Sequence, residues 1–215
     1  MDIRSKQRGR VRRLRGSRNS SRLFFNVAIA FELSLGALAL LPAVLLRIPP
    51  SGMFIISAEA IAGGILATVP LLLLFRLSLE SEWTPLRRIR NLLSRLLNPL
   101  LQQLTVLRAL LLGLAAGIGE ELLFRGLIQA GLTPLIGPLP ALLTASIAFG
   151  ALHWLTSAYA VVATLLGVYL GALMLITESL IAPVLTHALY DAAALLLLAR
   201  RGRAATDGNT PTPLA

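Results

Sequence analysis

Long apolar runs, separated by short polar turns or turns rich in Pro and Gly, occupy most of the chain. A run of about 20 apolar residues is long enough to cross a bilayer as a helix. The pattern predicts about six such spans, so the expected fold class is all-α, a polytopic transmembrane helical bundle. The spans lie near residues 23–46, 54–78, 104–131, 138–156, 158–177 and 179–199.

A different pattern occupies residues 80–103, between the second and third spans. Arginines such as Arg87 and Arg88 alternate there with leucines and isoleucine at helical spacing. This alternation predicts an amphipathic helix that lies in the membrane interface. Segments rich in arginine stay on the cytoplasmic side, so this helix and both chain termini are expected on that side. Six crossings satisfy this orientation.

The composition also indicates a membrane location. Of the 215 residues, 56% are hydrophobic and 14% are charged, whereas soluble domains average about 45–50% apolar and about 25% charged residues. The chain has no cysteine, which excludes disulfides, a thiol nucleophile and cysteine-ligated zinc. We therefore expect an integral, multi-pass membrane protein in contact with membrane lipid.

The net charge is +10, and nine of the basic residues precede the first span. A basic run directly before an apolar segment is typical of a topology signal. DNA binding would also need a folded module that presents the charge, and the sequence shows none, so no nucleic-acid partner is expected. The predicted parts are a basic cytoplasmic tail (1–22), two spans with the amphipathic connector (23–103), a membrane core (104–200) and a polar C-terminal tail (201–215).

Ionisable residues inside the spans are few, and each needs a partner, a cavity or a function because a charge in a bilayer is costly. Glu121 and Arg125 are four residues apart on the third span, so they should form an ion pair on one helix face. Glu120 is turned about 100° from Glu121 around the helix. It has no cation within its own helix and is therefore the carboxylate that is free to act.

Two further polar pairs lie on later spans. His153 follows Phe149 by four residues on the fourth span, and Asp191 follows His187 by four residues on the sixth. The two histidines are the only ones in the chain. Together with Glu120, these groups would suffice to bind a divalent metal such as zinc, or to activate a water and hold an oxyanion. A metal would use Glu120, His153 and His187, although the pattern makes no cofactor certain.

The remaining acids have simpler explanations. Glu32 and Glu59 are expected to face each other or Arg108 inside the bundle. Glu178 is expected at an outer helix start, where its charge suits the helix dipole. None of the three is assigned to catalysis.

The polar motifs, taken in order, resemble those of the CPBP family of intramembrane endopeptidases (CAAX protease and bacteriocin-processing, also called Abi). That family is marked by Glu-Glu-x-x-x-Arg, Phe-x-x-x-His and His-x-x-x-Asn/Asp on successive helices. The resemblance makes 104–200 a CPBP-like catalytic core. The three motifs stand here at Glu120–Arg125, Phe149–His153 and His187–Asp191.

The resemblance implies an enzyme that hydrolyses peptide bonds of a peptide or membrane-protein substrate at membrane depth, in a bacterial cell membrane. Asp191 stands where Asn is common, and an ionised Asp cannot donate a hydrogen bond, so it would be protonated or would orient His187. By motif position Glu120 would activate the water with help from His153, and His187 and Asp191 would polarise the oxyanion. The residues implied as structural support are Glu121, Arg125 and Phe149.

Two other functions stay open from the sequence. A noncatalytic immunity or scaffold protein would keep this fold and bind a peptide or partner subunit, with the polar pairs only holding helices together. A small transporter would also use intramembrane acids and histidines, but the halves show no inverted repeat. The pattern indicates no particular oligomeric state. The spans as drawn place the three motifs at different depths, so some span ends should move by about one turn.

Overall fold

The structure is a computed structural model, and it describes the backbone of residues 3–45 and 54–207 and the side chains of residues 19–45 and 54–204. These residues form helices and short connections, and they contain no strand. The predicted all-α class is confirmed. The outer turn predicted near residues 48–52 lies outside the described residues.

The helices follow the predicted order along the chain. The first helix already begins at Ile3, within the predicted basic tail, and the last continues into the predicted polar tail. The elements are α1 (Ile3–Leu45), α2 (Ala58–Glu80), α3 (Thr84–Leu96), α4 (Asn98–Leu101), α5 (Val106–Glu121), a π-helical segment (Leu122–Gln129), α6 (Ala130–Ile136), α7 (Pro138–Leu152), α8 (Ser157–Thr177) and α9 (Ile181–Asp207).

Four of the described helices are long and apolar enough to cross a membrane. They are α2, α8, the Asn19–Leu45 part of α1 and the Ile181–Ala204 part of α9. The third predicted span corresponds to α5, the π segment and α6, which follow one another without a break over 16, 8 and 7 residues. The fourth corresponds to α7, an apolar helix of 15 residues.

Side-chain caps set the starts of three helices. The hydroxyl of Ser57 accepts a hydrogen bond from Ala60 N at the start of α2, and Thr105 and Thr156 do the same for α5 and α8. Such caps satisfy backbone N–H groups that have no partner inside the helix. The expectation for Glu178 is wrong, because this residue ends α8 in a left-handed conformation with φ 50° rather than starting a helix.

Helices α5 and α9 pack closely at the centre of the bundle. The contact depends on Gly117, because a Cβ atom there would lie 2.8 Å from the carbonyl oxygen of Val184 and 3.0 Å from Ala188 N. Small residues allow membrane helices to approach each other in this way. Since Ala188 directly follows His187, this packing also places the last polar motif against α5.

Helix α3 is the predicted amphipathic helix, and its apolar side faces the bundle. Ile89 is buried, and Leu86 and Leu93 line an internal cavity together with Ile89. The Arg90 guanidinium donates to the carbonyl oxygens of Ser78, Leu79 and Ser81, at 3.2, 2.7 and 3.2 Å. These bonds hold α3 to the end of α2 and satisfy carbonyls that an α-helix leaves without partners.

Candidate functional site

An ion pair buried at the junction of α5 and the π segment forms the base of the site. Arg125 Nη1 lies 2.8 Å from Glu121 Oε1, and the two side chains are 1% and 0% exposed. Arg125 Nη2 donates to the carbonyl oxygen of Gly167 in α8, also at 2.8 Å. The predicted ion pair is confirmed. A buried pair needs such additional hydrogen bonds to compensate for the loss of hydration.

His187 on α9 joins the same carboxylate. Its Nδ1 lies 2.8 Å from Glu121 Oε1, so this one oxygen is shared by His187 and Arg125. An ionised carboxylate only accepts hydrogen bonds, so Nδ1 carries the proton. Nε2 of His187 lies 3.6 Å from Asp191 Oδ2, beyond hydrogen-bonding distance. Glu121, rather than Asp191, is therefore the residue that fixes the orientation of His187.

Glu120 lies between the two histidines. Its Oε1 is 3.9 Å from His153 Nε2, and its Oε2 is 3.8 Å from His187 Nε2. The residue is 7% exposed, and Oε2 has no hydrogen-bond partner among the described residues. The three motifs, which lie on separate helices, therefore meet at one carboxylate.

Helix α7 ends earlier than predicted, and His153 lies next to Glu120 directly after this end. The helix ends at Leu152 instead of residue 156, and His153 adopts a non-helical conformation as its cap. This shift of four residues is about one helical turn. Nδ1 of His153 bonds the Phe149 carbonyl oxygen at 2.8 Å. A carbonyl only accepts, so Nε2 is left unprotonated in the neutral ring and points toward Glu120.

The Phe149 ring packs among the polar groups of the site. Its ring stacks on the His153 ring with centroids 4.4 Å apart, and the Arg125 guanidinium lies 4.9 Å from its centroid. A cation over an aromatic face is stabilised by the ring quadrupole. Phe149 thereby packs against both neighbours, and its supporting role stays a prediction.

Glu32 on α1 also reaches the site, and the sequence analysis missed it. The expected contact among Glu32, Glu59 and Arg108 is wrong. Glu59 is exposed in the first turn of α2, and Arg108 donates to the Gln103 carbonyl oxygen. Glu32 instead lines the same cavity as Glu120. The only sequence signal was its charge inside an apolar helix, which by itself marks a functional position.

A cavity of about 730 Å³ opens beside Glu120. Most of its wall is apolar and comes from α1, α2, α3, α8 and α9. Ligand cavities commonly combine such a wall with a few convergent polar groups. His187 is buried and is not among the residues that line the cavity. The polar end of the cavity is formed by Glu32, Glu120, His153, Tyr159, Tyr190 and Asp191.

The predicted zinc ligands do not form a ready metal site. No group of three His, Asp or Glu side chains in the described ranges is arranged to hold a metal ion. Nδ1 of both histidines is already bonded within the protein, and the Nε2 atoms lie 3.9 and 3.8 Å from Glu120. The donor set of Glu120, His153 and His187 therefore does not fit a bound zinc as it stands.

Comparison with known proteins gives one match. Residues 102–193 match a family model described as type II CAAX prenyl endopeptidase Rce1-like. No curated protein and no solved structure matches the chain. The matched segment contains every site residue that the sequence analysis named, whereas Glu32 precedes it.

Proposed function

We propose that this multi-pass membrane protein is an intramembrane endopeptidase in which Glu120 activates a water, because residues 102–193 match the Rce1-like family model of CPBP membrane proteases. The family match supports a CAAX-type protease in general, in agreement with the resemblance seen in the motifs. The observation that carries the finer proposal is the buried Glu120 carboxylate between two imidazoles, with an oxygen that no described residue bonds.

The proposed reaction uses Glu120 as base and then as acid. Glu120 takes a proton from the water as the water oxygen bonds to the carbonyl carbon of the substrate. The carbonyl π bond opens and its electron pair becomes an oxyanion. When the oxyanion collapses, the C–N bond breaks, and Glu120 returns the proton to the leaving nitrogen. Such general acid–base catalysis contributes about 10²–10⁴-fold in rate.

His153 is proposed to help hold the water. Its Nδ1–H group is bonded to the Phe149 carbonyl, so the neutral ring presents Nε2 as an acceptor at the polar end of the cavity. The stacking against Phe149 limits rotation of the ring. The water is thereby held near Glu120 Oε1, the carboxylate oxygen that faces His153.

Asp191 and His187 are proposed to polarise the oxyanion, and they act from different positions. Asp191 lines the cavity and can contact the substrate, whereas His187 is buried outside the lining with Nε2 3.6 Å from Asp191 Oδ2. A protonated Asp191 donates a hydrogen bond, which an ionised one cannot. Donors fixed in advance at a developing charge are a large source of catalysis.

The apolar cavity supports a substrate with apolar side chains beside its scissile bond. A peptide or a segment of a membrane protein would place these side chains against the α2, α3 and α8 wall. We further propose that both termini lie in the cytoplasm, on the basis of the arginines that flank the spans. A bacterial cell membrane is proposed as the location on the basis of the family resemblance.

The test is cleavage of a quenched fluorescent peptide library by purified protein in detergent, comparing wild type with Glu120→Gln. Loss of at least about 100-fold in kcat in a folded variant supports the proposal. Adding a chelator distinguishes water activation by Glu120 alone from metal-assisted hydrolysis. Loss of activity with the chelator and recovery with zinc would assign a metal. Wild-type protein without turnover on any peptide would favour the noncatalytic immunity or scaffold function.

A further inference from the structure

The side chains at the polar end of the cavity offer mostly hydrogen-bond acceptors. The three carboxylates only accept when they are ionised, and the neutral His153 ring presents Nε2 as an acceptor. The hydrolysis proposed above creates an oxyanion, which needs donors that are in place beforehand. The two remaining residues of this end, Tyr159 and Tyr190, each carry a hydroxyl that is protonated at neutral pH. These two hydroxyls are therefore donors that do not depend on protonation of an acid.

Tyr159, on α8, lies beside the His153 imidazole. The two ring centroids are 6.1 Å apart with an angle of 70° between the ring planes, which is an edge-to-face contact. His153 Nε2 in turn lies 3.9 Å from Oε1 of Glu120. The Tyr190 ring instead contacts Phe75 of α2, which belongs to the apolar wall, with centroids 5.9 Å apart. Of the two hydroxyls, the one on Tyr159 therefore belongs to a ring that is in contact with the three motifs.

The backbone at Tyr159 is held by the cap of α8 and by the packing of α8 on α7. Its N–H group donates to Thr156 Oγ1 at 3.1 Å. A Cβ atom added at Gly150 would lie 2.6 Å from the carbonyl oxygen of Ala160, so the two backbones touch one residue after Tyr159. Both contacts lie in the first turn of α8. They restrict movement of Tyr159 relative to His153, as a preorganised donor requires.

The hydroxyl of Tyr159 has no structural use within the described part of the chain. Another tyrosine of α8, Tyr169, donates its hydroxyl to the Ala67 carbonyl oxygen at 2.8 Å and so links α8 to α2. Tyr159 is half-buried, yet its hydroxyl forms no hydrogen bond with any of residues 19–45 and 54–204. A buried tyrosine hydroxyl usually has a partner. Since Tyr159 lines the cavity, a group of a bound substrate can be that partner.

We propose that Tyr159 is a catalytic residue whose hydroxyl donates a hydrogen bond to the oxyanion, an inference that rests on the proposed function. As the water oxygen bonds to the carbonyl carbon, the π electron pair moves to the carbonyl oxygen, and the phenol O–H group donates to it without losing its proton. When the C–N bond breaks, this electron pair forms the C=O bond again. Tyr159 acts beside Asp191 and supplies a donor even when Asp191 is ionised.

The test compares Tyr159→Phe with Tyr169→Phe in the peptide cleavage assay. Tyr159→Phe keeps the ring beside His153 and removes only the donor. It should lower kcat by about 10²-fold with KM within about twofold, because the lost hydrogen bond forms only in the transition state. Tyr169→Phe removes a hydroxyl of the same helix that is bonded to α2. It should keep kcat within about twofold of wild type and lower the midpoint of thermal unfolding.

The binding of a peptide aldehyde gives a second measurement, because its hydrate has the tetrahedral geometry of the intermediate. Tyr159→Phe should weaken this binding by at least about 10-fold. A wild-type kcat in Tyr159→Phe would overturn the assignment, as would a lower kcat that comes with a large loss of thermal stability. A larger loss of kcat in Tyr190→Phe than in Tyr159→Phe would assign the donor to Tyr190 instead. If the wild type cleaves no peptide, the proposed function fails and the inference fails with it, whereas an active wild type beside an equally active Tyr159→Phe overturns the inference alone.

Discussion

The Nδ1 atom of His187 and the Oε1 atom of Glu121 lie 2.8 Å apart, although 66 residues separate them in the chain. The same oxygen accepts from Arg125, so it bonds one group of its own helical stretch and one group of α9. Glu120, the neighbouring residue, makes no comparable bond through its Oε2 atom. Two adjacent glutamates in one motif therefore have different surroundings, and their substitution should have different effects.

Glu121→Gln should damage both folding and activity. The substitution leaves the Arg125 guanidinium buried without a counter-charge, which typically costs about 3–5 kcal/mol. It also leaves Nδ1 of His187 without its carboxylate. Thermal unfolding in detergent should show a lower midpoint for Glu121→Gln than for Glu120→Gln, which keeps the ion pair. Equal midpoints for the two variants would contradict separate functions for the two glutamates.

Asp191→Asn should retain activity, whereas Asp191→Ala should lose it. The Asn amide always provides a donor, so it can replace a protonated Asp at the oxyanion. Removal of the side chain takes away one donor, which typically costs about 10²–10³ in kcat. Measured kcat values for the two variants decide this. If Asn were as damaging as Ala, the Asp191 charge rather than a donated hydrogen bond would be the needed property.

Gly117→Ala should separate α5 from α9 and reduce activity together with stability. The added methyl group would meet the Val184 carbonyl oxygen at 2.8 Å, and such overpacking typically costs about 1–3 kcal/mol. His187 would move with α9, so kcat should fall as well. The control is Gly63→Ala on α2, where the new methyl group meets only the Thr177 methyl group, at an ordinary 3.5 Å. A Gly117→Ala protein with wild-type stability would contradict the close contact.

Arg90→Met should loosen α3 without touching the catalytic groups. The substitution keeps an apolar stem against the cavity but removes three hydrogen bonds to the end of α2. Hydrogen exchange of the α3 amides should become faster, because local opening becomes less costly. Arg88→Met, at an exposed position of the same helix, is the control. Identical exchange in both variants would show that the Arg90 bonds do not hold α3.

The spacing of residues within one helix explains what the sequence could predict. Glu121 and Arg125 are neighbours because four residues make about one turn, and this holds wherever the helix lies. The bond from Glu121 to His187 depends instead on how α5 packs against α9, and no spacing in the sequence gives that distance. The resemblance to a family placed both residues in one site but did not identify their contact.

Other features lacked any local signal. Residues 122–129 form a π helix, but they read as an ordinary apolar helical run. The end of α7 at Leu152 was missed because the apolar pattern continues beyond it through Trp154 and Leu155. Glu32 was misassigned for a related reason, since the helix that faces it is decided by the crossing of α1 and α5 at Gly119.

The shared Oε1 atom of Glu121 also links α8 to the candidate site, although α8 carries none of the three motifs. A continuous series of bonds runs from the Gly167 carbonyl in α8 through Arg125 and Glu121 to the His187 ring. A displacement of the Gly167 carbonyl would therefore be transmitted to the His187 ring through Arg125 and Glu121. The position of α8 thereby has a mechanical route to the orientation of an imidazole that belongs to a different helix.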